Sequence, residues 1–282
     1  MRVELACLPG NPDVPNEDFA AVSLPSSGSG GSVVVLDGVT PPADGDTGCV
    51  HSVPWFTARL GAALQELAGV RRELTLAECL AAAIGRTADA HRATCDLSHV
   101  RTPQATVVAV RWDEERVEHL VLSDSALLLR SPDGQLRTVL DRRLAELPPP
   151  LRALRDEVRA LPRGSAEREA LGREYGRAVE GLRNAEGGFF TAAADPDAAR
   201  RAVTGSTPRA EVAGLAALTD GATRWTEVFR LGDWEQLFAL LAKKGPGELI
   251  EQVRAAEAAD PEGRTHRRGK ARDDAAAVLV EL

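Results

Sequence analysis

The sequence predicts an α+β fold, in which short apolar strands come in groups and helices come in pairs. Strand-like segments fill residues 1–40 and recur over 105–140, and one more strand ends the chain at 275–282. Helical periodicity appears between and after these groups, beginning with a pair of helices at 55–70 and 74–93. A chain with a parallel sheet would alternate strand and helix, so hairpins and meanders are expected instead.

Composition narrows the possible functions. The 282 residues carry a formal net charge of −8, with 44% hydrophobic and 27% charged residues, which is typical of a soluble globular protein. The acidic balance argues against nucleic acid or an anionic membrane as the main partner, because both require a basic surface. The chain has no apolar run of about 18 residues, and its N-terminus lacks the apolar segment of a signal peptide. A cytoplasmic protein is therefore expected, with reduced thiols at Cys7, Cys49, Cys79 and Cys95.

The first half of the chain gives the clearest local signals. A glycine- and serine-rich loop at 27–32 fits a hairpin connection, and Thr75 or Glu73 suits the N-cap of the second helix. The apolar runs of this half predict strands at 3–8, 19–24, 33–37, 105–112, 117–124, 126–131 and 136–140.

The second half begins with a segment of different character. Residues 141–185 are charged, helical and weakly apolar, and prolines interrupt them, so a helical hairpin outside the main core is expected. A polar connection at 204–212 leads to a strand at 213–220, and a basic loop at 263–274 precedes the final strand. Helices are predicted at about 222–230, 233–243 and 246–259.

Acidic residues recur where apolar strands meet loops. Asp37 and Asp220 end strands and are followed by glycine, Asp124 ends another strand, and Asp18 and Asp273 precede strands. An aspartate in a turn often serves only to bond the nearby backbone. If the strand order brings these ends together, however, their mutual repulsion requires cations. Divalent ions such as Mg²⁺ and Mn²⁺ prefer oxygen ligands, and a pair of them can hold a hydroxide and clamp a phosphate.

The order of the motifs resembles that of the PPM family of metal-dependent phosphatases, the type 2C serine/threonine phosphatases. The motifs that carry the resemblance are NED (16–18), DGV (37–39), ATVVAV (105–110), SDS (123–125), TDGA (219–222) and RDDAAAVLV (272–280). The resemblance implies one domain over 1–282, built as a four-layer α-β-β-α sandwich with two antiparallel sheets flanked by helix pairs. Residues 141–185 would be a helical insertion, and a site for two metal ions would lie at one end of the sandwich.

The resemblance also assigns roles residue by residue. Asp37 would bridge two Mn²⁺ or Mg²⁺ ions, and the carbonyl of Gly38 would bind one of them. The other ion would be held by Asp220 and Asp273. The acidic pair Glu17 and Asp18 would bind metal directly or through water, and Asp124 would help to hold a third ion where one binds.

The chain departs from the family pattern where phosphate is bound. Many members have an arginine at the position of Asp13, and the GDSR motif reads SDSA here, with Ser123 for glycine and Ala126 for arginine. Arg224 stands where an acidic residue often serves the third metal. Arg224 and Arg183 are therefore candidates for binding the substrate phosphate, because a guanidinium suits bidentate phosphate contact; a surface role for either arginine is the alternative.

Histidines and cysteines supply two further hypotheses. His51 follows Asp37 by a short interval and is a candidate general acid, the alternative being a packed or capping histidine. His91, Cys95 and His99 are spaced four apart, which would suit a zinc site if one helix continued through them. A fourth ligand is missing from that set, and a helix end is expected at 96–98, which argues against it.

The predicted function is hydrolysis of phosphate monoesters by a metal-bridging water, with Asp37 central to catalysis. The expected substrate is phosphoserine or phosphothreonine on proteins. Two alternatives remain open: a small phosphorylated substrate, which the departures in the phosphate-binding motifs favour, and a pseudophosphatase that binds a partner protein. The retained set of acidic residues argues against the last.

Overall fold

A computed structural model describes residues 1–26, 28, 30–42 and 45–282. No described helix combines the length and the apolar character that a membrane crossing requires. In chain order the strands are β1 (Arg2–Leu8), β2 (Phe19–Ser23), β3 (Gly31–Leu36), β4 (Val107–Trp112), β5 (Arg116–Leu122), β6 (Ala126–Arg130), β7 (Leu136–Leu140), β8 (Val203–Pro208), β9 (Gly214–Leu218) and β10 (Ala275–Glu281). The helices are α1 (Val53–Val70), α2 (Leu76–His91), α3 (Pro149–Ala160), α4 (Ala166–Glu180), α5 (Asp220–Glu227) and α6 (Trp234–Ala259), with short 3₁₀ helices at Pro196–Arg201 and Arg209–Glu211.

The strands form two five-stranded antiparallel sheets within the described chain. One sheet has the order β1-β10-β9-β6-β7, and the other has the order β2-β3-β4-β5-β8. The first and last strands of the chain pair with each other, Leu8 opposite Ala275, so the C-terminal strand completes the first sheet. The chain crosses between the sheets where β5 leads into β6.

Both faces of the central strands are buried, which explains their unbroken apolar sequences. In β3, Val33 and Val35 pack toward the other sheet, whereas Val34 and Leu36 pack against α1 and α2. The helices α5 and α6 cover the outer face of the other sheet, against residues such as Leu218. These layers confirm the predicted α-β-β-α sandwich.

The helix starts follow their local sequence. Ser52 caps α1 by accepting a hydrogen bond from the Trp55 N–H. Thr75 caps α2 in a reciprocal arrangement with Glu78, which confirms the predicted cap. Helices α3 and α4 lie within the segment predicted as a helical hairpin and have a small apolar cluster of their own, made of Leu147, Leu151, Val179 and Phe189.

Two local predictions differ from the structure. Strand β8 was predicted as a polar connection; it lies at the edge of its sheet beside β5, and its side chains are largely exposed, so it has no apolar pattern to reveal it. The two helices predicted at 233–243 and 246–259 form one kinked helix, α6. The kink lies at Gly245, whose φ of 84° is left-handed, just before Pro246.

Candidate active site

Sheet register brings the predicted carboxylates to one end of the sandwich. Phe19 pairs with Leu36, so Asp18 and Asp37 lie at adjoining strand ends in one sheet. In the other sheet β9 and β10 are neighbours, with Leu218 opposite Ala277, so Asp220 and Asp273 also flank adjoining ends. Asp124 lies in the short crossing from β5 to β6, between the two sheets.

The carboxylates are close enough to perturb one another. Burial raises the pKa of Asp37 well above its ordinary value, and Asp220, Asp18, Asp124 and Asp273 raise it further. Burial also raises the pKa of Asp18, and Asp220 and Asp273 add to this increase. The negative charges of both sheets therefore meet in one place, as the sequence predicted from their positions at strand ends.

The same effects act on the remaining acidic residues of the cluster. Burial and then the charge of Asp273 raise the pKa of Asp220 to about 7. The pKa of Asp124 is raised by burial and by Glu227, although the hydroxyl of Ser123 bonds it and opposes the shift. Burial also raises the pKa of Glu17. A cluster of this kind is costly when fully ionised unless cations lie against it.

Two cationic side chains of the chain offset part of this charge. Lys270 Nζ donates to Asp273 Oδ1 at 2.7 Å and to Thr40 Oγ1 at 2.8 Å. Although burial lowers the pKa of the Lys270 ammonium, Asp273 and then Asp37 and Asp220 raise it overall. Sequence reasoning treated the basic loop 263–274 as mainly a solvated loop and did not single out Lys270; its position three residues before Asp273 is the signal that could have revealed it.

Arg224, a predicted phosphate ligand, is buried in an ion-pair network. Its guanidinium donates to Glu257 Oε1 at 2.7 Å and to Asp273 Oδ2 at 2.6 Å, and only 7% of its side chain is exposed. Glu257 is itself held by Arg254 at 2.7 Å. The geometry of Arg224 is therefore that of a residue that orients Asp273.

One atom of the cluster is an orphan acceptor. Asp18 is 8% exposed, and its Oδ2 accepts a hydrogen bond from Thr219 Oγ1 at 2.8 Å. Its Oδ1 is buried and has no hydrogen-bond partner in the described chain. A buried carboxylate oxygen without a donor is costly, and a bound cation satisfies it. The acidic, all-oxygen donor set around it suits a hard divalent ion such as Mg²⁺ or Mn²⁺.

The glycine after Asp37 is required by close packing. A Cβ on Gly38 would lie 2.6 Å from the carbonyl oxygen of Glu17 and 2.4 Å from Val53 Cγ1. The absence of a side chain lets the backbone after β3 approach the segment that carries Glu17 and Asp18. That the Gly38 carbonyl binds a metal ion stays a prediction.

Asp274, the residue after Asp273 in the RDDAAAVLV motif, fixes the N-terminal acidic pair. Its Oδ1 accepts from the Gly10 N–H at 2.8 Å and its Oδ2 from the Glu17 N–H at 2.6 Å. Glu17 also accepts a hydrogen bond from Thr40 Oγ1. Asp274 thus ties the start of β10 to the loop before β2, and so joins the two sheets at the cluster.

A cavity of about 430 Å³ opens over three of the carboxylates, Asp124, Asp220 and Asp273. Basic side chains line the same cavity and are called its basic wall: Arg142, Arg155, Arg159, Arg267 and Lys270. Arg155 and Arg159 come from α3, in the segment predicted as a helical insertion. Burial and then the nearby Arg155 lower the pKa of Arg159, and no carboxylate in the described chain pairs with it. The sequence analysis did not select these arginines, since nothing local distinguishes them in an arginine-rich segment.

Arg183, the other predicted phosphate ligand, lines a second cavity of about 220 Å³ beside Thr40 and Tyr175. Tyr175 also lines the larger cavity, so the two adjoin. Burial lowers the pKa of Arg183, while Glu180 and Asp124 oppose this. Its Nε is buried without a partner in the described chain, and its guanidinium lies 5.5 Å from the centre of the Phe189 ring.

Ser123 adopts the conformation that its glycine counterpart in the resembled motif would favour. Its φ is 68°, in the left-handed region that a residue with a side chain seldom occupies. The Ser123 N–H donates to Asp141 Oδ2 at 2.9 Å, and its Oγ donates to Asp124 Oδ1 at 3.2 Å. Asp141 is in turn held by Arg143 at 2.5 Å. These bonds hold the turn that presents Asp124.

His51, the predicted general acid, belongs to a different group of side chains. Its Nδ1 lies 3.4 Å from Cys95 Sγ and 3.7 Å from Cys49 Sγ, and its ring stacks on Trp55 at 4.0 Å. No hydrogen bond of the described chain joins His51 to the carboxylate cluster.

The family comparison agrees with this architecture. The sequence matches the family model described as protein phosphatase 2C over residues 11–249, which is more than half of the chain. No match was found among curated proteins.

Solved structures share the fold across nearly the whole chain. Serine/threonine phosphatase Stp1 from Staphylococcus aureus superposes with a TM-score of 0.58 at 10% identity, covering 99% of this chain and 94% of that one. The Mycobacterium tuberculosis serine/threonine phosphatase PstP/Ppp gives a TM-score of 0.57 at 16% identity, covering 100% and 98%. At sequence identities of 10% and 16%, the similarity to these two structures concerns the fold alone.

The carboxylate cluster makes the stability of the metal-free protein depend on pH. The pKa of Asp220 is about 7 in the folded protein against an ordinary value of 3.8. The folded state therefore keeps a proton that the unfolded chain releases, so the free energy of unfolding falls as pH rises from 3.8 to about 7 and then levels. One such group gives a limiting slope of about 1.4 kcal/mol per pH unit.

Urea denaturation in EDTA at a series of pH values measures this slope. We expect Asp220→Asn to reduce it, because the variant lacks one titrating group, whereas Asp89→Asn should retain it. Asp89 is a matched control since it is 70% exposed and pairs with Arg92 on the surface. An unchanged slope in Asp220→Asn would contradict the assignment.

Proposed function

The chain belongs to the protein phosphatase 2C family of phosphoric monoester hydrolases, and we propose that it dephosphorylates phosphoserine and phosphothreonine side chains of proteins. The family is metal-dependent. The observation that carries the proposal is the convergence of acidic side chains from both sheets around the buried Oδ1 of Asp18, which lacks a donor. Three of these acidic residues, Asp124, Asp220 and Asp273, line a cavity that basic side chains also line.

The proposed metal ligands are the carboxylates of this cluster. Asp37 and the Gly38 carbonyl, Asp220 and Asp273 would hold two Mn²⁺ or Mg²⁺ ions, with Glu17 and Asp18 as ligands or as acceptors for metal-bound water. Asp124, bonded by Ser123, is the proposed ligand of a third ion. When bound, the ions would lower the pKa of a water and withdraw charge from the phosphate.

Other residues of the chain hold this site in shape. Arg224, buried between Glu257 and Asp273, fixes the orientation of one proposed ligand. Asp274 fixes the loop of Glu17 and Asp18 through two backbone N–H groups. These contacts matter because a ligand that rotates freely loses entropy on binding, whereas a held ligand does not.

Phosphate binding is proposed to come from the basic wall of the cavity. Arg155 and Arg159 face the same space as Asp124, Asp220 and Asp273, and Arg159 has no carboxylate partner in the described chain. A guanidinium free of carboxylates is available for charge-assisted bonds to phosphate oxygens. Arg183 is a second candidate, since its Nε is unpaired and Asp124 acts on its charge. Asp13 is exposed and acidic and contributes no cation.

A small phosphorylated molecule is the alternative substrate. The segment with α3 and α4 supplies part of the cavity wall, which makes the site more enclosed than an open surface. Initial rates on a panel of phosphothreonine peptides, beside a panel of phosphorylated metabolites, distinguish the two. A pseudophosphatase is disfavoured because the complete set of proposed ligands is present.

Asp37→Asn should abolish metal binding and turnover together, because Asp37 is the proposed bridging ligand. We expect the rate of p-nitrophenyl phosphate hydrolysis with Mn²⁺ to fall by more than about 100-fold. Loss of a residue that only supports a metal ligand typically costs about 10–100-fold, and loss of the ligand itself should cost more. Calorimetric titration with Mn²⁺ measures binding in the same samples. Asp89→Asn is the control, and Mn²⁺-dependent turnover by Asp37→Asn that matches the unmodified protein would refute the proposal.

Arg159→Ala should raise KM for a phosphothreonine peptide by about tenfold or more, since a charged hydrogen bond contributes about 1.5–3 kcal/mol. Arg159→Lys should recover part of this loss, because it restores the charge without the planar fork. Arg152→Ala is the matched control: Arg152 lies on the same helix but is exposed and does not line the cavity. Equal KM values for the two alanine variants would show that Arg159 does not bind phosphate.

A further inference from the structure

Four side chains form a compact group where the loop before α1 meets the end of α2. Cys49 and His51 come from the loop before α1, and His91 and Cys95 come from the end of α2 and the turn after it. One ligand atom from each of the four lies within 4.8 Å of every other.

The separations within the group match the edges of a small tetrahedron. Cys49 Sγ lies 3.0 Å from Cys95 Sγ and 3.4 Å from His91 Nδ1, and Cys95 Sγ lies 3.4 Å from His51 Nδ1. Bonds of about 2.3 Å to sulfur and about 2.0 Å to nitrogen give tetrahedral edges of roughly 3.4–3.8 Å. The two sulfur–nitrogen distances of 3.4 Å agree with this range. The sulfur–sulfur distance of 3.0 Å is shorter than the roughly 3.8 Å expected, so the two thiols would move apart when zinc binds.

We propose that Cys49, His51, His91 and Cys95 bind one Zn²⁺ ion in a closed tetrahedral site. Two thiolates and two imidazoles are a donor set that selects zinc, whereas carboxylates and carbonyls select magnesium and manganese. The chain would thus hold two kinds of metal at separate places. With four protein ligands the zinc has no open position, so its role is structural.

The surroundings of the group resemble those of a prepared site. His91 is 2% exposed, and its Nε2 has no hydrogen-bond partner in the described chain. The rings of His51 and His91 both contact Trp55, at 4.0 and 5.2 Å between centroids. A buried imidazole whose Nδ1 faces the Cys49 thiol at 3.4 Å fits a metal ligand that binds through that nitrogen.

The backbone brings the two ligand pairs together before any metal is considered. The Asp96 N–H donates to the Gly48 carbonyl at 2.7 Å. Gly48 has a φ of 68°, and a Cβ there would lie 2.5 Å from His99 Cβ, so only glycine fits. The loop before α1 is therefore docked on the turn after α2, and Cys49 is held opposite Cys95.

The proposed zinc would stabilise the connection that leaves the carboxylate cluster. After Asp37 and Gly38 the chain passes Thr40, which bonds both Glu17 and Lys270, and then reaches Cys49 and His51. Fixing Cys49 and His51 to the end of α2 anchors the far end of this connection. With Nδ1 bound to zinc, His51 would carry no proton at that nitrogen to donate as a general acid, so the proposal replaces its predicted catalytic role.

The arrangement also explains why the sequence hypothesis of a zinc site at His91, Cys95 and His99 was incomplete. Helix α2 ends at His91, so spacing by four does not continue to His99, whose Nδ1 instead accepts the Arg101 N–H at 3.1 Å. The missing ligands come from a loop about 40 residues earlier in the sequence, which periodicity within one helix does not reveal.

The metal content of the purified full chain tests the proposal. Purification under reducing conditions, followed by mass spectrometry of metals, should find one zinc per chain in the Asp37→Asn variant, where the carboxylate site is disabled. The same background with Cys49→Ser and Cys95→Ser should lose at least nine-tenths of that zinc, whereas Cys79→Ala, a buried thiol in the α1–α2 core, should keep it. The number of zinc ions per chain does not depend on turnover. This measurement therefore tests the zinc site separately from the proposed phosphatase activity.

Cobalt substitution supplies a second readout. Co²⁺ bound in this site should give intense tetrahedral ligand-field bands and thiolate charge-transfer bands, and His51→Ala should weaken Co²⁺ binding by at least about tenfold. If the double cysteine variant does not fold, His51→Ala alone decides the question. Zinc content that is unchanged in the cysteine variant, cobalt spectra without thiolate bands, or a Cys49–Cys95 disulfide in place of bound zinc would overturn the proposal.

Discussion

Repulsion among carboxylates is the constraint on which the rest of this structure depends. Acidic side chains from two sheets meet at one end of the sandwich, and burial prevents water from screening them. The fold tolerates this because Lys270 and Arg224 contact Asp273, and because Asp274 and Thr219 fix the neighbouring acidic residues by hydrogen bonds. The remaining charge, with the orphan Oδ1 of Asp18, makes the empty cluster unfavourable and a bound divalent cation favourable.

Different parts of the fold supply the proposed metal ligands and the proposed phosphate-binding residues. The sheets supply the proposed metal ligands, since strand ends are held rigidly by the cores on both faces. The helices α3 and α4 have their own small apolar cluster and add a basic wall from outside those cores. In our proposal both features serve the phosphate group: the metal ions would act on the reacting oxygens, and the arginines would hold the anion in place. The family arginine that Asp13 replaces is therefore compensated from a different part of the chain in our proposal.

The two groups of proposed metal ligands differ in the chemical hardness of their donor atoms and in their proposed roles. Around Asp37 the donors are oxygen atoms beside a cavity, which leaves room for water and substrate. Around Cys95 the donors are sulfur and nitrogen, and one ligand atom from each of the four side chains lies within 4.8 Å of every other. In the sequence, the connection from Gly38 to Ser52 joins the two groups.

The sequence by itself determined the features that depend on neighbouring residues. Unbroken apolar runs such as that of β3 predicted strands, Thr75 predicted a helix start, and acidic residues at strand ends, read in order, predicted the carboxylate cluster. Tertiary structure alone decided what depends on residues distant in the chain: the pairing of β1 with β10, the edge position of β8, the contact of Arg224 with Glu257, the approach of Arg159 to the cavity, and the meeting of Cys49 with Cys95. The physical reason is that periodicity and caps act within a few residues, whereas sheet order and helix docking set which distant side chains share a space.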